Sequence, residues 1–325
     1  MAASSSKHVI YAALGGNLLI AICKFAASAY TGSSAMLSEA IHSMVDTGNQ
    51  GLLLLGLARA KRPPDAKHPF GYGMEVYFWT FVVAIMIFAV GAGVSIYEGV
   101  HKLSDPEPVK SIHINFIVLG AALVFEGGAW WIAYKEFKRE QGSMGLFEAV
   151  RNSKDPTVFT VLFEDTAAML GLIVAGAGLA IAHFFNLPVM DGVASIVIGV
   201  ILAVTAALLA YECKGLLIGE GARPAMLARI RGIIDEHPSI LRTNELLTMH
   251  LGPNDVLVNV SIDFIDGISA TDVEAAISEF ERRIKDDHPE VQRIFIEAQS
   301  WQGHAADVEA ATERDDAGEP EPEAG

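Results

Sequence analysis

The sequence predicts an α-helical membrane protein with six transmembrane helices and a C-terminal cytoplasmic α+β domain. Two observations carry this reading. The chain has 325 residues, 51% of them hydrophobic, and a positive mean hydropathy. That apolar content is concentrated in the first two thirds, beyond what a single soluble core requires. It also divides into six segments near residues 8–30, 33–58, 76–99, 112–134, 157–184 and 189–213, each close to or longer than the roughly 20 residues that cross a hydrocarbon core. Backbone exposed to lipid must satisfy its own hydrogen bonds, so such spans are helices.

The first span follows Met1 to His8, which contains one Lys and no small-residue cleavage site, so it is expected to be an uncleaved helix and not a signal peptide. Cations then set the orientation. Arg59, Lys61, Arg62 and Lys67 lie between the second and third spans, and Lys135, Lys138, Arg139, Arg151 and Lys154 between the fourth and fifth. The turns at Tyr30 to Ser34 and His183 to Asp191 carry neither Lys nor Arg; Lys102 and Lys110 in the remaining loop weaken the contrast without reversing it. The positive-inside rule puts the two basic loops and both termini in the cytoplasm, as in a multi-pass protein of a cytoplasmic (inner) membrane.

The membrane domain is expected over residues 1–215, and a second domain over 219–300. Pro224 to Glu236 is a short amphipathic helix closed by His237-Pro238. Val256, Val258, Val260, Ile262 and Phe264 alternate with Leu257, Asn259, Ser261 and Asp263, the period of a half-buried strand. Asn244 to Leu251 is its hairpin partner across Gly252-Pro253-Asn254. Val273, Ala276, Ile277, Phe280 and Ile284 recur at helical spacing, and Val291 to Ala298 is a last strand. The order helix, strand, strand, helix, strand predicts helices on one face of a three-stranded sheet, a ferredoxin-like arrangement. Much of the formal charge of -16 falls after residue 215. Residues 301–325, acidic and without apolar periodicity from Asp307 onward, are expected to be a disordered tail. Two cysteines, Cys23 and Cys213, exclude a disulfide framework or a Cys-rich metal cluster.

Function is read from ionisable residues inside the spans: His42, Asp46, Glu164 and Asp165. A charge at the bilayer centre costs about 2.5–3.5 kcal/mol on insertion scales, so such residues face polar cavities and mark ion or proton paths. His42 and Asp46 are four apart and share a helix face. Glu39 and Asn49 extend that face one turn each way. Imidazole nitrogen with carboxylate oxygen is half of a tetrahedral zinc set. Asp165 on the fifth span, with Glu164 beside it, is the candidate for the rest.

The second-span motif Tyr30-Thr-Gly-Ser-Ser-Ala-Met-Leu-Ser-Glu-Ala-Ile-His-Ser-Met-Val-Asp46 resembles that of the cation diffusion facilitators, as do His68-Pro-Phe-Gly-Tyr-Gly-Met-Glu75 and Asp191-Gly-Val-Ala-Ser-Ile-Val-Ile-Gly199. The resemblance covers roughly residues 8 to 299. It implies a homodimeric, proton-coupled exporter of a divalent cation from the cytosol, Zn2+ expected, working in the lipid bilayer with no prosthetic group and no nucleic-acid partner. It also implies that His42, Asp46 and Asp165 are ligands, from an intramembrane site with two residues four apart on each of the second and fifth helices. The fourth position departs from the pattern: Val161 stands where the family has His or Asp. Phe163-Glu-Asp-Thr-Ala-Ala168 and Glu126-Gly-Gly-Ala129 resemble a zinc-transporter-like branch, in which Glu164, Glu126 or water completes the shell. The alternative left by Val161 is a non-transporting or regulatory partner subunit of a metal transporter.

Other positions carry weaker expectations. Asn17 either supports the metal ligands from behind or belongs to a glycine-rich packing step, and Glu39 and Asn49 are candidates to support the ligands or relay protons. Glu126 is a proton relay or a buried structural acid. Asp191 is expected to cap the sixth helix. Asp65 and His68 are a weak peripheral loop site, with Tyr72 where another histidine would stand, and Glu75 faces the positive end of the third span. In the second domain Asn244, Ser261, Glu297 and Gln299 stand where a bound pair of metals would need His and Asp, leaving His250 and Glu245 isolated, so a structural dimerisation role is favoured. No His-Glu-x-x-His or comparable motif indicates an enzyme.

Overall fold

The computed structural model describes residues 2–141, Gly145 and 153–318. The chain forms two compact units, Met1–Ile218 and Gly219–Gly325.

Among the described residues, the regular elements of the first unit are all helices. Its elements are α1 (Ala2–Thr31), α2 (Ser34–Ala60), α3 (Glu75–Met86), a π-helical turn (Ile87–Ala92), α4 (Gly93–Ser104), α5 (Ile112–Gln141), α6 (Pro156–Phe184) and α7 (Val189–Ile218). The stretch Glu75–Ser104 runs as one candidate span through the π turn, and α1, α5, α6 and α7 each contain another. The sixth expected span, α2, is the least apolar because it carries Glu39, His42, Asp46, Asn49 and a run of serines. At 27 residues it is about 40 Å long by helical rise, enough to span. The bundle is turned inside out relative to a soluble protein. Leu19, Ile22, Ile117, Val124, Ile132, Ile173 and Val204 are exposed, whereas Glu39, His42, Asn49 and Glu164 are buried. An integral membrane protein is built this way because lipid, not water, surrounds it.

α2 packs against α1, α3, α4, α6 and α7, and α5 packs against α1 and α6. Small residues permit close approach of α4 and α7: a Cβ at Gly99 would meet the Gly192 carbonyl at 2.7 Å, and one at Gly199 the Ala92 carbonyl at 3.1 Å. A chain of serines ties three helices together. Ser38 Oγ on α2 lies 2.5 Å from Ser195 Oγ on α7, and Ser195 donates to the Ser95 carbonyl of α4.

Asp191 does not cap its own helix as expected. It reaches to the start of α2, where its carboxylate accepts from Ser33 Oγ at 2.6 Å, Ser34 N at 2.7 Å, Ser34 Oγ at 3.1 Å and Ala35 N at 3.2 Å. Ser33 also caps α2 locally by accepting from Met36 N. The buried N-terminus of α2 has free N–H groups and a partial positive charge, and a carboxylate from a neighbouring helix satisfies both.

The second unit comprises α8 (Pro224–Asp235), β1 (Ile240–Gly252), β2 (Asp255–Phe264), α9 (Ala270–Asp287), β3 (Val291–Ala298) and α10 (Trp301–Gly318). The sheet order is β1-β2-β3, with β1 antiparallel and β3 parallel to β2. Val256, Val258, Val260 and Ile262 are buried in one core with Ile230, Ile233 and Ile234 of α8 and Ala276, Phe280 and Ile284 of α9. The tail departs from expectation: residues 301–318 form α10, while 319–325 lie outside the described residues. Alanine and glutamate favour helix, and its first turn is anchored. Trp301 N donates to Asp263 Oδ2 at 2.9 Å, the Arg242 guanidinium lies 3.7 Å from the centre of the Trp301 ring, and Gln299 Nε2 donates to Asp307.

Candidate metal site within the membrane helices

A cavity of about 530 Å³ lies among α1, α2, α5 and α6. Asn17, Ser43, Asp46, Gln50, Glu126, Val161, Glu164 and Asp165 line it together with apolar side chains. Helical periodicity explains the convergence. Ser43, Asp46 and Gln50 fall at i, i+3 and i+7 on α2, and Val161, Glu164, Asp165 and Ala168 at i, i+3, i+4 and i+7 on α6. Of the predicted site residues, Asp46, Glu164 and Asp165 therefore share one space, and Asn17 and Glu126 join them from α1 and α5.

His42 is not among the lining residues. It is buried, with Nδ1 3.3 Å from Asp46 Oδ1, and among the described residues neither ring nitrogen has a hydrogen-bond partner. It thus meets the cavity through Asp46. Asn49 is likewise set back: its Nδ2 donates to Glu164 Oε1 at 2.9 Å and fixes that side chain. Trp130 Nε1 donating to Thr166 Oγ1 ties α5 to α6, and Thr31 donating to Asn115 ties α1 to α5. The donors surround the cavity without meeting at a point: among the described residues, no three His, Cys, Asp or Glu side chains form a group that could hold one ion.

Lys24 is the residue that sequence reading missed. It is fully buried on α1, and its ammonium donates to Glu39 Oε2 at 3.1 Å, Ser43 Oγ at 2.8 Å and Glu126 Oε1 at 2.8 Å. Glu39 is therefore turned toward Lys24, not into the cavity. A lysine in the apolar stretch Leu14–Thr31 was the available signal, since a cation there needs an acid partner on another helix.

Residues 10–218 match the family described as the cation efflux transmembrane domain. The chain belongs to the cation diffusion facilitator family. Similar proteins include the human "Proton-coupled zinc antiporter SLC30A9, mitochondrial", 33% identical over 271 residues covering 80% of this chain and 48% of the relative. "Metal tolerance protein C4" of Arabidopsis thaliana is 29% identical over 261 residues, 80% of this chain and 57% of the relative. "Magnetosome protein MamM" of Paramagnetospirillum magneticum is 30% identical over 122 residues, 38% of this chain and 37% of the relative. The chain spans about half the length of the first two. Membership makes this an integral, multi-pass member of a cation-transporting family.

The outlying positions of this cation diffusion facilitator are engaged within the protein. Asp65 is exposed and closes a turn, accepting from Lys67 N, His68 N and, at 2.6 Å, the Tyr72 hydroxyl. The Tyr72 hydrogen bond, with the backbone donors, holds the Asp65 carboxyl below its ordinary range. His68 Nδ1 lies 3.6 Å from Asp65, and its ring lies against Tyr72. Glu75 accepts from Trp79 Nε1 at 2.6 Å, and the Arg59 guanidinium lies over the Trp79 ring. In the second unit Asn244 Nδ2 donates to Ser261 Oγ and to the Gln299 backbone carbonyl, so neutral hydrogen bonds hold this side chain. Glu245 and Glu297, in register with Ser261 on either side, are exposed.

Proposed function

We propose that this chain exports a divalent cation, Zn2+, from the cytosol in exchange for protons, as a homodimer with both termini cytoplasmic. The observation that carries the reading is the cavity between membrane-spanning helices, with Asp46 on one wall, Glu164 and Asp165 on another and Glu126 beside them. Carboxylates with one imidazole suit a borderline divalent metal. His42, touching Asp46, either orients that carboxylate or rotates to join it. Ligands must be deprotonated to bind metal, so an arriving ion releases protons and a departing one readmits them. The name of the human relative, a proton-coupled zinc antiporter, supports the same cargo and coupling. The spread of donors suits a carrier: helices that close on the ion on one side and part on the other give alternating access.

Purified protein reconstituted alone into vesicles tests this. Saturable Zn2+ uptake is expected to accelerate with an acidic receiving lumen and to alkalinise that lumen as metal arrives. Metal entry without proton movement overturns antiport, and absence of flux favours the partner-subunit alternative.

Val161 lines the cavity one turn before Asp165. Valine offers no donor, so Val161→His supplies a fourth ligand to a site short of one. Zn2+ affinity measured by calorimetry in detergent should rise roughly tenfold, about 1.4 kcal/mol, and turnover should fall as release slows. Unchanged affinity would mean that Asp165 does not coordinate from this face.

A further inference from the structure

We infer that Lys24 is a tethered cation that competes with the transported metal for Glu126. This rests on the transport reading and adds to it a residue that sets how tightly the ion is held.

An ammonium has three donors, and all three are used here, on Glu39, Ser43 and Glu126. The two acids differ in their surroundings. Glu39 is fully buried, and its pairing with Lys24 lies away from the cavity. Glu126 is partly accessible and lines the cavity with Asp46, Glu164 and Asp165. Lys24 holds its Oε1, while Oε2 has no hydrogen-bond partner among the described residues. One half of the Glu126 carboxylate is thus tied to a fixed positive charge, and the other half is buried without a hydrogen-bond partner among the described residues.

A divalent cation entering this space meets a carboxylate already neutralised by a neighbour's ammonium. To use Glu126 it must draw the carboxylate from Lys24, which keeps Glu39 and Ser43 as partners. In a low-dielectric site that exchange costs the ion part of its attraction. When the ion leaves, the ammonium reclaims Glu126, and that carboxylate is not left uncompensated. Lys24 weakens binding and hastens release.

Lys24→Gln alone strands Glu39 as a buried, unpaired acid and endangers folding. The Lys24→Gln/Glu39→Gln variant removes both charges of that pair and leaves Glu126 free. Zn2+ calorimetry on the full chain in detergent should show affinity raised tenfold or more, on the order expected for coupled sites, and vesicle turnover reduced. Adding Glu126→Gln should abolish the gain. Equal affinity of wild type and the double variant, or a gain that survives Glu126→Gln, overturns the inference. Failure of the transport reading shows separately, as wild-type protein that binds Zn2+ without saturable flux.

Discussion

Asp46→Ala is expected to abolish saturable Zn2+ flux, and Asp165→Ala to do the same, with size and monodispersity in detergent unchanged. Each carboxylate lines the cavity from a different helix, α2 and α6, so each removes one wall's contribution to the ion. Loss of a partner that merely supports a ligand lowers metal affinity 10–100-fold; loss of a ligand itself should cost about 100-fold or more. The folding consequence should be small, because Asp46 Oδ1 has no hydrogen bond to lose among the described residues, and removing a carboxylate from a membrane interior relieves a desolvation cost. Flux assays in vesicles and Zn2+ calorimetry on the same preparations check this. Retained flux in either variant would remove that residue from the site.

Asp191→Ala should act oppositely, on stability before transport. The carboxylate satisfies two backbone N–H groups and two hydroxyls at the start of α2, and no water reaches it, since Asp191 is fully buried. Capping losses and stranded buried donors together should cost about 3 kcal/mol. Thermal unfolding in detergent should show a clearly lowered midpoint for Ala and a smaller drop for Asn, which keeps one acceptor oxygen. An unchanged midpoint for Ala would mean that Ser33 alone suffices as a cap. Because α2 also carries Asp46, the surviving folded fraction should show weakened Zn2+ binding.

The elements were legible because each depends on neighbours in sequence. Apolar runs of span length, the alternation from Val256 to Phe264 and the helical recurrence of Ala276, Phe280 and Ile284 are local patterns, and the structure places their apolar faces in the core. The grouping of Asp46, Glu164 and Asp165 was accessible too, since ionisable groups within apolar helices gather at a common polar cavity. The tail was misjudged because acidity and missing periodicity conceal the contacts of Trp301 with Arg242 and Asp263, residues that adjoin it through the sheet and not along the chain.

By itself the sequence determined that this protein is a helical membrane protein with an appended α+β unit, and which ionisable groups lie within its spans, because span length and side-chain period are properties of contiguous residues. Tertiary structure alone decided the partners of those groups. It turned Glu39 to Lys24 and away from the cavity, gave Asp191 to the start of α2 instead of its own helix and brought Glu126 beside Asp46. Each of these pairings joins different turns or different helices, and the energy that selects among them is electrostatic. It depends on distance through a medium that screens little, which helix packing sets and residue order does not.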